Sequence, residues 1–104
     1  INDRYQFDKP TKKFVDELFK STIKNAESLD KKIESALENW TLERINIIDR
    51  LIMQMSICEM SLMLHYEISH KVTISSAIEN AKKFSSEDST AFVNGVLDSV
   101  YKKL

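Results

Sequence analysis

One glycine, one proline and one cysteine occur in 104 residues. Tight β-turns draw on Gly and Pro, so a sequence this poor in both excludes a fold of many short strands. The lone Cys58 excludes an intramolecular disulfide, and a single thiol inside an apolar stretch suits a reducing cytoplasm. No uninterrupted apolar run approaches the ~20 residues of a membrane span, and no signal peptide opens the chain. An excess of charge is missing too. Fifteen basic residues face sixteen acidic ones, a net charge of −1, which does not announce a nucleic-acid binder and leaves that role to local patches. There is no Gly-rich phosphate loop, and no Ser, Cys or carboxylate with a visible orienting base, so no enzyme class is indicated. Cys58 and His65 are two ligands, too few for a zinc site, and His70 lies across a loop; no metal or other cofactor is expected.

What is present is helical. Apolar residues make up 42% and charged residues 30%, ordinary values for one globular domain spanning residues 1–104. Such a chain buries roughly two thirds of its unfolded surface. The fold class is all-α, with about five helices around a central buried one at 45–64, INIIDRLIMQMSICEMSLML. Ile47, Ile48, Leu51, Ile52, Met55, Cys58, Leu62 and Met63 form its main stripe at helical spacing, and Met53, Ile57, Met60 and Leu64 form a second. A helix apolar on nearly all sides is one that others wrap. Asn46 reads as its N-cap, with Asp49 at the third helical position.

Four other helices follow from the same periodicity. The first, about 10–25, presents Phe14, Val15, Leu18, Phe19, Thr22 and Ile23. Ser28 or Asp30 caps the second, whose buried face is Leu29, Ile33, Ala36, Leu37 and Trp40. After a short turn at 41–44 and the central helix, a loop at 65–70 leads to Val72, Ile74, Ala77, Ile78 and Ala81, ending at Phe84. Ser85-Ser86-Glu87-Asp88-Ser89 is a helix start, a Ser cap followed by carboxylates at the positive end of the dipole. Phe92, Val93, Val96, Leu97, Val100, Tyr101 and Leu104 complete the last helix. Gly95 within it costs about 1 kcal/mol relative to Ala, which predicts a close backbone approach there. Glu59 in the apolar helix reads as a hydrogen-bonded structural carboxylate rather than as a group with a raised pKa.

Several blocks together resemble the NusB family of transcription antitermination factors. They are Asn39 to Arg44, Ile48 to Ile52, Glu59, Lys71-Val72, Ala77 to Glu79, Ala81 to Phe84, Glu87 to Ser89 and, most specifically, Phe92-Val93-Asn94-Gly95-Val96-Leu97-Asp98. The resemblance covers the family's C-terminal two thirds. It implies a non-catalytic, all-helical protein that binds boxA-type RNA with the ribosomal protein NusE in an RNA polymerase antitermination complex. Nothing in residues 1–20 matches the Arg-rich segment with which the family opens, and a chain beginning at Ile1 reads as a fragment or processed product. Without the family's first helices, part of the second stripe of the central helix is expected to lie exposed and to favour a homodimer. Ser75 and Ser76 stand where the family usually has Asn-Glu, Ser69 where it has Pro, and Ser85 where it has Gly. The last is expected to strain a corner that favours positive φ.

The RNA-facing candidates are Lys82, Lys83, Phe84, Ser86, Asp88, Ser89 and Phe92. Helix-start amides bind phosphate, an aromatic ring stacks a base, and a carboxylate accepts from a base amino group. The resemblance places the family's acidic RNA-facing residue at Asp88, and its protein-partner surface near Glu43, Arg44 and Asp49. The plainer reading of the same residues is solvated lysines, a capping Asp88, a core Phe92 and local ion pairs. Two other functions stay open: an auxiliary domain of an RNA cytosine methyltransferase, and a helical protein-interaction scaffold.

Overall fold

The computed structural model describes residues 9–37 and 41–104, and five α-helices account for most of them. Helix α1 is Lys9–Lys24, α2 Ala26–Ala36, α3 Ile47–Leu62, α4 His70–Phe84 and α5 Glu87–Lys102, with single 3₁₀ turns at Leu42–Arg44 and Leu64–Tyr66. No strand occurs among the described residues. The all-α expectation therefore holds. Trp40, assigned from sequence to the second helix, lies outside the described residues.

Local chemistry sets most helix ends. The Asn46 side chain accepts from the Ile48 amide at 2.8 Å to start α3, and Ser69 and Ser86 cap α4 and α5 in the same manner. Ser69, standing where the family usually has Pro, thus supplies a cap of its own. The second helix departs from expectation. Neither Ser28 nor Asp30 caps it; α2 begins at Ala26, after a one-residue joint at Asn25 whose amide donates to Ser21 O at 2.9 Å. Ser85 has φ −121° and ψ −97°, so its Cβ meets none of the strain expected at that corner. Glu67 is the one non-glycine residue at positive φ among those described, at 55°.

Helix α3 packs against each of the other four helices. Its buried face draws on both apolar stripes, with Cys58 and Met63 of the main one beside most of the second. Met53, Ile57 and Cys58 are fully buried and Met60 nearly so, whereas Ile47, Leu51, Met55 and Leu62 of the main stripe are exposed, Leu51 at 45%. Ala77, Ala81, Val93, Val96, Leu97, Leu29 and Ile33 join these residues in one core, which covers most of the second stripe and leaves its last residue, Leu64, 69% exposed. A helix apolar on nearly every side offers periodicity two faces, and the stripes of its neighbours decide between them. In α1, similarly, Leu18 and Thr22 are buried while Val15, Phe19 and Ile23 are exposed.

Two buried hydroxyls are tied locally. Thr22 Oγ1 donates to Leu18 O at 2.7 Å and Ser56 Oγ to Ile52 O at 2.8 Å, one turn back in each helix, a bond that lets a hydroxyl enter a helical core. Burial raises the Cys58 thiol above its ordinary value, which keeps it an unreactive core group. Burial also raises the Glu59 carboxyl, with the Thr73 hydroxyl pulling it back in part. Gly95 is exposed and has nothing within 4 Å of where a Cβ would stand, so the close approach expected of it does not exist.

Asp30 joins α2 to α3. Its Oδ2 accepts from Arg50 Nη2 at 2.7 Å, and its Oδ1 from Arg50 Nε at 3.2 Å and Gln54 Nε2 at 2.6 Å. Burial works to raise the Asp30 pKa, but these bonds and the Arg50 charge outweigh it and hold the carboxyl below its ordinary 3.8. At the far end of the bundle, the His70 and Tyr101 rings stack at 3.7 Å, joining the start of α4 to the end of α5. The two helices are therefore antiparallel, and the end of α4 lies at the start of α5.

Two outcomes follow in urea unfolding. Ile57→Ala should cost about 2–5 kcal/mol, the range for a truncated core aliphatic, while Leu51→Ala should cost under about 1 kcal/mol; equal losses would reverse the stripe assignment. A folded pKa below the unfolded one gives Asp30 a stabilising contribution that is present above the unfolded pKa and lost as pH falls through the folded one. The stability gap between the native chain and Asp30→Asn should accordingly be constant near neutrality and shrink in acid below 3.8.

Candidate nucleic-acid interface

The starts of α3 and α5 come together in one place. Ser86, extended at φ −155° and ψ 165°, accepts from the Ser89 amide and opens α5, with Glu87 and Asp88 in its first turn. Asn46 opens α3, with Asp49 in its first turn. Between them lies a groove of about 310 Å³ lined by Arg44, Ile45, Asn46, Asp49, Asp88, Ser89 and Phe92.

The groove unites residues that sequence reasoning assigned to two surfaces. Asp88, Ser89 and Phe92 belong to the RNA-facing set, and Arg44 and Asp49 to the protein-partner set. Asp88 is exposed at its margin, and Phe92 is half-buried and packs against the core. Asp49 is not a surface charge: it is 5% exposed, and its Oδ2 accepts from the Ser89 hydroxyl at 2.8 Å. Ser89 Oγ also meets Ser85 Oγ at 3.0 Å and Ser86 Oγ at 3.1 Å, a hydroxyl cluster ending on the buried carboxylate. Asp49 Oδ1 is buried with no hydrogen-bond partner among the described residues.

The remaining candidates stand apart from this groove. Lys82 and Lys83, in the last turn of α4, are exposed. Lys82 makes a 3.8 Å ion pair with Glu87, and the Lys83 ammonium lies 5.4 Å from the Phe84 ring centroid. A surface pair of that kind holds little energy, so both cations remain available to a phosphate. Phe84, 62% exposed, lines a second groove of about 300 Å³ with Ile48, Leu51, Ile52, Met55 and Asn80. Glu43 is exposed on the 3₁₀ turn beside Arg44 and does not line the first groove. Sequence reasoning missed Ile45 and Asn46 as lining residues. The two helix-cap signals were visible, but nothing in the sequence says that the two starts adjoin.

Together these features define an α-helical bundle with a groove of mixed polar and apolar side chains at one end, where two helix starts meet, and two exposed lysines at the neighbouring corner. The family described as "NusB family" matches residues 2–102. The chain belongs to the NusB family. It is 44% identical over 90 residues to the transcription antitermination protein NusB of Bacillus mycoides (strain KBAB4), covering 86% of this chain and 68% of that protein, and 43% identical over the same span to that of Bacillus cereus (strain B4264). Among solved structures it superposes on T. maritima NusB with a TM-score of 0.84 at 33% identity, covering 95% of this chain and 68% of that one. A chain in a crystal structure of a plectonemic RNA supercoil shares the fold, with a TM-score of 0.86 at 22% identity.

Ser89→Ala should leave both Asp49 oxygens unpartnered. A buried charged acceptor without its donor costs about 1–3 kcal/mol or more, so the melting temperature should fall by several degrees. No change would show that the 2.8 Å bond does not hold α5 to α3.

Proposed function

We propose that this chain is a non-catalytic transcription antitermination factor that binds single-stranded boxA-type RNA across the α3–α5 groove and the α4–α5 corner. It acts together with the ribosomal protein NusE within an RNA polymerase complex. The observation that carries the reading is the convergence of Asp88, Ser89 and Phe92 with Arg44 and Asp49 on one groove. Antitermination is the activity for which the NusB relatives are named.

The chemistry suits a single strand. Phe92 brings an aromatic ring to the groove wall, Asp88 an acceptor to its margin, and the first turn of α5 the positive end of its helix dipole. Unstacked bases are read by such mixtures of ring contact and base-edge hydrogen bonds. Two carboxylates and one guanidinium line the groove, so the groove receives bases while phosphates lie outside it, toward Lys82 and Lys83. Glu43, exposed beside the groove, is the charge from the partner set that a protein can reach directly, and we assign the NusE contact to that side.

Fluorescence anisotropy with a boxA-type oligoribonucleotide, at low and stated salt because phosphate contacts are salt-dependent, tests this. Asp88→Ala and the packing-conserving Phe92→Leu should each weaken binding by roughly 5- to 100-fold, the scale of one lost base contact, with the melting temperature of Asp88→Ala unchanged. Unchanged affinity in both variants would overturn the RNA assignment.

A further inference from the structure

A cavity between α1, α3 and α4 has no part in the RNA reading. It holds about 140 Å³, is walled by Leu18, Ile52, Met55 and Ala77, and carries Glu59. It shares no lining residue with the α3–α5 groove. Ile52, Met55 and Asn80 also line the second groove, so the cavity adjoins that one. Glu59 is half-buried, and no cation among the described residues pairs with it. A carboxylate is rarely withdrawn from water without a counter-charge. The Thr73 hydroxyl lies beside it. That residue is 3% exposed and lines the same cavity, and its Oγ1 has no hydrogen-bond partner among the described residues, yet it stands close enough to favour the ionised carboxyl. Thr73 thus supports a charge on Glu59 without neutralising it.

We propose that this cavity binds a primary alkylammonium, the head group common to free aliphatic amines and lysine side chains. The ammonium pairs with the Glu59 carboxylate and supplies the counter-charge that the chain does not. Ser76 and Asn80, both exposed lining residues, offer side-chain oxygens to its remaining N–H groups. The methylenes lie against Leu18, Ile52, Met55 and Ala77, where their burial favours binding. Size agrees with this chemistry. A water's share of liquid volume is about 30 Å³, so a cavity of about 140 Å³ admits roughly five heavy atoms, the nitrogen and four carbons of butylammonium. A metal ion fits less well, since Ca²⁺ or Mg²⁺ asks for about six or more oxygen ligands, and one carboxylate among apolar walls does not supply them. A longer amine can continue past Ile52 and Met55 into the second groove.

The experiment is a protein-observed NMR titration of the full chain with n-butylamine at neutral pH and fixed ionic strength. Saturable shifts should concentrate around Glu59, Thr73 and Asn80. Each buried methylene is worth roughly a fourfold gain in affinity, so ethylamine should bind about tenfold more weakly than butylamine. Butanol, matched in shape but uncharged, should also bind about tenfold more weakly or worse, the scale of one hydrogen bond to a charged group. The isosteric Glu59→Gln, checked for folding by thermal melting, should lose a similar factor. Nα-acetyl-lysine methylamide separates the two sources. Affinity equal to that of butylamine assigns the site to a lysine side chain of a partner protein, and weaker binding assigns it to a free amine; either result sustains the site. Shifts that do not saturate, butanol binding as tightly as butylamine, or unchanged affinity in folded Glu59→Gln each overturn the proposal. None of these outcomes touches the RNA reading, because the two sites share no residue.

Discussion

A single hydrogen bond, from the Ser89 hydroxyl to buried Asp49 at 2.8 Å, joins the start of α5 to the start of α3. Both residues sit in the first turn of their helices, where backbone amides lack intrahelical partners and the dipole favours negative charge. Ser89 gives the Asp49 side chain a hydrogen-bond partner away from water. The contact sets how far apart the two helix starts stand, and so sets the width of the groove between them. Ser85 and Ser86 brace Ser89 from behind. Three serines at that corner and one carboxylate thus form one hydroxyl-bonded joint.

The rest of the bundle keeps that joint in place. α3 is held on its buried face by Met53, Ile57 and Met60, and on its side by the Asp30–Arg50–Gln54 cluster. α5 is held by Val93, Val96, Leu97 and Val100. The polar cluster is well connected, with both Asp30 oxygens engaged, which is the condition under which a partly buried ion pair holds geometry. The apolar surface that remains, including Leu51, Met55 and Phe84, lines the second groove on the other side of α3. Two grooves, only the first of which is lined by charged side chains, are thus both bordered by residues of α3.

Helix caps were the most legible feature of the sequence, because capping depends on residues within three positions of one another. Asn46 and Ser86 were assigned correctly on that basis. Asn25 was not, since it links α1 to α2 without any side-chain cap to reveal it. Gly95 was misread for a related reason. A helical glycine suggests a neighbour close by, yet only the arrangement of the other helices shows whether one is there, and none is.

The sequence alone determined that the chain is all-helical, where its helices begin at 46 and 86, and that 45–64 is the helix others surround. The motif from Phe92 to Asp98 also pointed to the family. Each of these rests on short-range signals: spacing, capping chemistry and contiguous residues. Tertiary structure alone decided which face of α3 is buried, because an apolar helix leaves that choice to the shapes that meet it. It also decided that Asp49 is buried and half-satisfied, and that it shares a groove with Asp88, Ser89 and Phe92. The residues at 49 and 89 are 40 apart, and no local rule reaches across that distance; their contact exists because α4 and α5 fold back along α3.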